Sequence, residues 1–161
     1  MRGLLFSIVL AFSGFLSQPN AGAEQTGPAL SIGLSTTNWI TGSLPKGGVA
    51  DTWYESPGTF AVTNTGTVAI QLLVTTSNVT PSGWVLSPVI GSNRYQLAIS
   101  IEDGGPVPNY EPIPSEGLAL SNTLDTNEVL QFDLRFVGPV DTPDVNMEQD
   151  IPISIIAIPL E

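Results

Sequence analysis

Apolar and polar side chains take turns along most of this chain. Between Ser56 and Ser77, Phe60 and Val62 fall on one side, with Thr59, Ala61 and Thr63 on the other. Beyond Asn64-Thr65-Gly66, the residues Val68, Ile70, Leu72 and Val74 share a side. A period of two in segments rich in Val, Ile, Thr and Phe is what a strand with one buried face requires. Asn and Gly tolerate positive φ, so Asn64-Thr65-Gly66 is expected to reverse the chain as the turn of a β-hairpin. Glu128 to Val137 is the clearest single strand. Leu130, Phe132, Leu134 and Phe136 are expected to face the core, and Gln131, Asp133 and Arg135 to face out. Arg94 to Glu102 alternates in the same way, with Tyr95, Leu97, Ile99 and Ile101 together. Ala29 to Leu34 and Trp84 to Leu86 are shorter candidates. Ile151 to Leu160 closes the series, but its parity slips: Ile151, Ile153 and Ile155 share one face, and Ile156, Ile158 and Leu160 the other. Such a strand carries a bulge or is covered on both faces.

Turn signals separate these segments. Pro45-Lys46-Gly47-Gly48, Ser56-Pro57-Gly58, Asn78 to Gly83 and Asp103 to Pro106 punctuate the chain, and no segment has a helical period. The expected fold is all-β: a two-sheet antiparallel β-sandwich of about seven to eight strands, with a barrel as the alternative. Val107 to Ser115, rich in proline, reads as an extended connection.

The first 23 residues do not fit that pattern. Arg2 precedes a nearly continuous apolar run from Leu4 to Leu16, followed by Pro19 and Ala21-Gly22-Ala23. The run is too short to span a bilayer, and small residues stand where a signal peptidase cuts. Residues 1–23 are therefore expected to be a signal peptide, and residues 24–161 a single β-sandwich domain with no membrane span. An exported location follows: extracellular, cell surface or periplasmic.

Composition limits the chemistry. The 161 residues include no Cys and no His. Ser-His-Asp and Cys-His catalysis are thereby excluded, as is a conventional zinc site. No disulfide can staple the fold, so the core must hold it. Beyond residue 23, Lys46, Arg94 and Arg135 stand against all fifteen acidic residues, and the whole chain carries a formal net charge of −11. Such a surface repels nucleic acid and anionic membranes.

Trp39-Ile40-Thr41-Gly42, Gly47-Gly48, Ser56 and Phe60-x-Val62-x-Asn64-x-Gly66 together resemble a layout recurring in exported bacterial immunoglobulin-like modules. The last motif is similar to that of envelope and matrix proteins, camelysin-type fibre proteins among them. Trp84-Val85-Leu86 resembles the motif of WxL cell-wall domains, but those carry a second copy near the C-terminus, where this chain reads Ile-Ile-Ala-Ile-Pro-Leu. The resemblance implies an immunoglobulin-like extracellular structural module and no particular ligand.

Two groups of residues are candidate sites. The acidic stretch with Asp141, Asp144, Glu148 and Asp150 offers the oxygens that calcium takes, without EF-hand spacing; a solvated loop that blunts strand edges is the plainer reading. Trp53, Tyr54 and Trp84 would stack on sugar rings if exposed, or pack in the core if not. Paired carboxylates for glycoside hydrolysis are sought among Glu102, Asp103, Glu111 and Glu116, which lie beside turns where such groups are solvated. The sequence thus leads us to expect a non-catalytic structural or adhesive module of the cell surface or extracellular matrix. It would assemble by β-strand addition with itself or with other envelope proteins. The alternative is a carbohydrate-binding module for cell-wall or matrix polysaccharide. No cofactor beyond calcium is expected.

Overall fold

A computed structural model describes residues 29–79, 82–101, 107–141 and 149–160. The expected signal peptide, residues 1–23, lies outside these residues. Within them the chain is all β, and no helix is long and apolar enough to cross a membrane.

Ten strands form among the described residues: β1 (Ile32–Leu34), β2 (Val49–Asp51), β3 (Phe60–Asn64), β4 (Ile70–Thr76), β5 (Val85–Leu86), β6 (Arg94–Ile101), β7 (Glu111–Pro112), β8 (Leu118–Leu124), β9 (Val129–Val137) and β10 (Ile153–Pro159). The count exceeds the expected seven or eight because β5 and β7 are only two residues long. One sheet runs β1-β3-β9-β6-β5, with β2 added to β9 and β7 to β6; the second runs β10-β4-β8. All pairs are antiparallel except β5 with β6.

The two sheets enclose one apolar interior, as a β-sandwich requires. Phe60, Val62, Tyr95, Leu97, Ile99, Phe132, Leu134 and Phe136 from the large sheet meet Ile70, Leu72, Val74, Leu120, Leu124, Ile153 and Ile155 from the small one. Phe60 and Phe132 are cross-strand partners and stack at 5.4 Å between ring centroids. The alternation along β3, β4, β6 and β9 therefore marks the inner face as expected. Ile101 departs from it: at the end of β6 it is 38% exposed, at the mouth of a cleft between the sheets.

The expected hairpin does not form. β3 pairs with β1 and β9, and β4 with β10 and β8. Residues 65–69 thus carry the chain from one sheet to the other, an arch rather than a turn within a sheet. Neither Asn64 nor Gly66 has positive φ. Asn64 acts through its side chain instead. Its amide N–H groups donate to Val68 O and Leu124 O, both at 2.9 Å, and its Oδ1 accepts from Gly66 N–H at 3.0 Å. Its backbone N–H donates to Glu128 O at 3.0 Å, and its C=O accepts from Asn127 N–H at 2.7 Å. Residues 125–128 make the second crossing, from β8 to β9. Asn64, fully buried, ties both crossings together at one end of the sandwich.

Gly66 is needed for closeness. A Cβ there would overlap the carbonyl oxygen of Ala29 and come within 3.0 Å of Ser31 N. The approach lets the leader to β1 clamp the arch: Thr67 N–H donates to Ala29 O and Thr65 N–H to Ser31 O, each at 2.9 Å.

Candidate functional site

Two surfaces carry features that the core does not need. The first is the free edge of the small sheet. β10 pairs with β4 in unbroken register from Ile153↔Thr76 to Pro159↔Ile70, and among the described residues no strand lies on its other side. An edge strand offers unpaired N–H and C=O groups to any extended chain. The other edges are short or irregular. β1 has three residues, β5 two, and β8 meets β4 with two register shifts. β8 and β10 both have seven residues and no charge, but only β10 keeps an unbroken register with β4.

The slip of parity in β10 is neither a bulge nor double cover. Ile153 and Ile155 face the core and Ala157 packs against it, while Ile156 and Ile158 face away. Ile158 is 39% exposed. Across β4, Ile156 stands opposite Leu73, which is itself opposite Ala119 of β8. An apolar stripe thus crosses the outer face of the small sheet and ends at the free edge.

The second surface is the outer face of the large sheet, around β2. Asp51 ends β2, and its Oδ1 accepts the N–H of Trp53 at 2.9 Å. Its C=O accepts from Glu55 N–H at 3.1 Å. This tight turn presents Trp53 and Tyr54, which are 37% and 74% exposed. The same carboxylate takes the phenol hydroxyl of Tyr110, whose ring lies under the Arg135 guanidinium at 5.6 Å. Burial, and then Asp51, push the Tyr110 phenol far above its ordinary range. Asp133 faces outward as expected but is fully buried; its carboxylate accepts from Thr52 Oγ1 at 2.8 Å and Thr59 Oγ1 at 3.3 Å. Thr52 Oγ1 also takes the N–H of Leu134 at 2.9 Å, so this hydroxyl locks β2 to β9. Sequence reading missed this network because Tyr110 sits in a proline-rich connection with no strand period. The signal was Asp133 itself, a carboxylate in mid-strand with small hydroxyl residues near it only in space.

The aromatic candidates do not assemble into one surface. Trp84 is 3% exposed and belongs to the core, so only Trp53 and Tyr54 can meet a ligand. Trp39 is also a core residue, its buried indole N–H without a hydrogen-bond partner among the described residues. Of the candidate calcium ligands, Asp141 and Asp150 are exposed, and Asp144 and Glu148 lie outside the described residues. Asp141 uses its backbone, its C=O accepting from Asn93 N–H at 3.0 Å and Ser92 Oγ at 3.1 Å. Glu111 and Glu116 are exposed, and Glu102 and Asp103 lie outside the described residues. Glu111 joins Ile99, Ile101, Asn109, Leu118 and Ala119 around the cleft between β6 and β8, about 250 Å³ in volume.

Comparison with known proteins returns no matching family model, no similar curated protein and no similar solved structure, and the functional reading rests on this geometry.

Proposed function

We propose that the chain is an exported, non-catalytic structural or adhesive module of immunoglobulin-like architecture, and that it joins surface or matrix assemblies by β-strand addition. The observation that carries this reading is β10: a seven-residue, uncharged, unbroken edge strand with an apolar outer stripe. Folded proteins usually blunt such edges with charge, bulges or cover, because backbone groups left open there recruit other strands. The absence of Cys and His fits a module that works by shape and backbone pairing.

The reading is tested by expressing the full chain in a bacterial host and following where it goes after export. Ile156→Lys, which puts a charge on the outer stripe, is expected to move the protein from surface material into the medium without unfolding it. Equal retention of the two forms contradicts assembly through this edge.

A second reading, a carbohydrate-binding module, has its own support in the exposed Trp53-Tyr54 turn beside Asp51 and Arg135. Indole and phenol rings offer flat apolar faces to sugar rings, and the neighbouring charges offer hydrogen bonds to hydroxyls. Retention on insoluble cell-wall polysaccharide that disappears in Trp53→Ala/Tyr54→Ala favours it; retention unchanged by the double substitution dismisses it.

A further inference from the structure

We propose that the occupant of the β10 edge is the β10 strand of a second copy, paired antiparallel about a twofold axis through Ile156, so that two small sheets become one six-stranded sheet. This inference rests on the assembly reading above and names its partner and register.

The backbone sets the terms. Leu160 N–H donates to Ala69 O at 3.2 Å, which points the backbone groups of Leu160 towards β4. Residues two apart in a strand point the same way, so Ile158, Ile156 and Ser154 also bond to β4. Ile153, Ile155, Ala157 and Pro159 then turn their backbone groups to the free edge. Pro159 has no N–H to lose there, and its presence leaves the β4 ladder whole.

Pairing β10 with itself about Ile156 uses the whole strand. Ile155 and Ala157 exchange two hydrogen bonds on each side of the axis, and Ile153 N–H donates to Pro159 O at each end, about six interchain bonds in all. Side chains match as well. Ile156 meets Ile156 of the second copy at a non-hydrogen-bonded position, where side chains come closest. Ser154 then meets Ile158. The Leu73–Ile156 stripe continues without interruption into its symmetry mate. Centring the axis on Ile155 instead would set Ile156 against Ser154 and draw in Ile151 and Pro152, which lie outside the strand.

Charge leaves this edge open to a second copy. An acidic chain repels its own kind, yet neither β4 nor β10 carries a charged residue. This uncharged edge lets two such molecules approach without setting carboxylates face to face.

The chain has no Cys, which makes the register directly readable. In the protein purified as exported, Ile156→Cys should oxidise to a disulfide-linked dimer. The dyad sets the two Cα atoms about 4.5 Å apart, inside the roughly 4.4–6.8 Å range that a disulfide spans. Ser154→Cys, on the same face but opposite Ile158, should form that dimer at least about tenfold more slowly. Ser154→Cys mixed with Ile158→Cys should link to each other. Sedimentation of the unmodified protein should show dimers, and Ala157→Pro, which removes an outward N–H and leaves the β4 ladder whole, should show folded monomers. Should Ala157→Pro fail to fold, Ile156→Lys sets like charges opposite one another at the dyad and should give the same monomer. Dimers or larger species in which Ile156→Cys has no advantage overturn the register and leave assembly by another edge standing. Monomers at every concentration overturn self-pairing. If such monomers are still retained at the surface through β10, the assembly reading survives with a different partner; if they are not, both fall.

Discussion

Every polar group of Asn64 is engaged where two chain crossings meet. Its amide nitrogen has two N–H groups and bonds two carbonyls, Val68 O in the first crossing and Leu124 O at the end of β8, where the second begins. Asn64→Ala would take the side-chain partner from Val68 O, Leu124 O and Gly66 N–H at buried and part-buried positions. At about 1–3 kcal/mol for each stranded group, with incomplete additivity, a loss of about 3–5 kcal/mol is expected in denaturant unfolding. Asn64→Asp should be as damaging, because a carboxylate would face two carbonyl oxygens. Tyr95 sets a different limit. Burial pushes its phenol up to about 12, against a weaker opposing effect of the Thr76 hydroxyl. The folded state therefore holds a proton that the unfolded chain releases near pH 10. Its contribution is complete below about pH 10 and falls as pH rises towards 12, by about 1.4 kcal/mol per pH unit. Tyr110 is raised in the same direction and adds to the effect. Tyr95→Phe should cost about 1 kcal/mol at neutral pH, through the lost 2.6 Å hydrogen bond to Ser77 O, and yet move the midpoint of alkaline unfolding upward. A pH titration followed by circular dichroism checks both signs.

At the level of elements, the arch between β3 and β4 decides how the sheets are divided. Gly66→Ala should force the leader to β1 away from the arch and cost about 1–3 kcal/mol, since the overlapping atom is backbone and cannot swing aside. Loss of protection confined to residues 29–35 and 63–67 in amide exchange would localise the damage; an unchanged pattern would contradict it. The same arch shows what the sequence made legible. Alternation identified the inner faces of β3, β4, β6 and β9 almost residue by residue, because burial depends only on which side a side chain takes. It did not identify partners. A tight Asn-x-Gly reads alike whether the chain folds back beside itself or crosses to another sheet, and the difference lies in Leu124 and Glu128, sixty residues away. The outward network of Asp51, Tyr110, Asp133 and Arg135 was hidden for the same reason: its members come from β2, β9 and a proline-rich connection. By contrast, the oddity of Ile151 to Leu160 was visible in the residues themselves, and it marks the edge on which the functional reading turns.

For the molecule as a whole, three properties bear on one another. The chain has no cysteine to staple it, it carries a formal net charge of −11, and among the described residues both long edge strands of the small sheet, β8 and β10, lack charge, with β10 alone in unbroken register. Without a disulfide, stability must come from the interior between the sheets, and the proposed association would use β10, an uncharged and regular edge of an otherwise acidic molecule. Amide hydrogen exchange along β10, read residue by residue and repeated over a range of protein concentrations, tests this most directly. The N–H groups of Ile156 and Ile158 should exchange slowly at every concentration, because β4 holds them. Those of Ile155 and Ala157 should exchange fast in dilute solution and slow down as the protein associates. Protection of Ile155 and Ala157 at all dilutions would mean that the chain covers its own edge. Rapid exchange at Ile156 and Ile158 would mean that β10 is not the strand described here; either result contradicts the account.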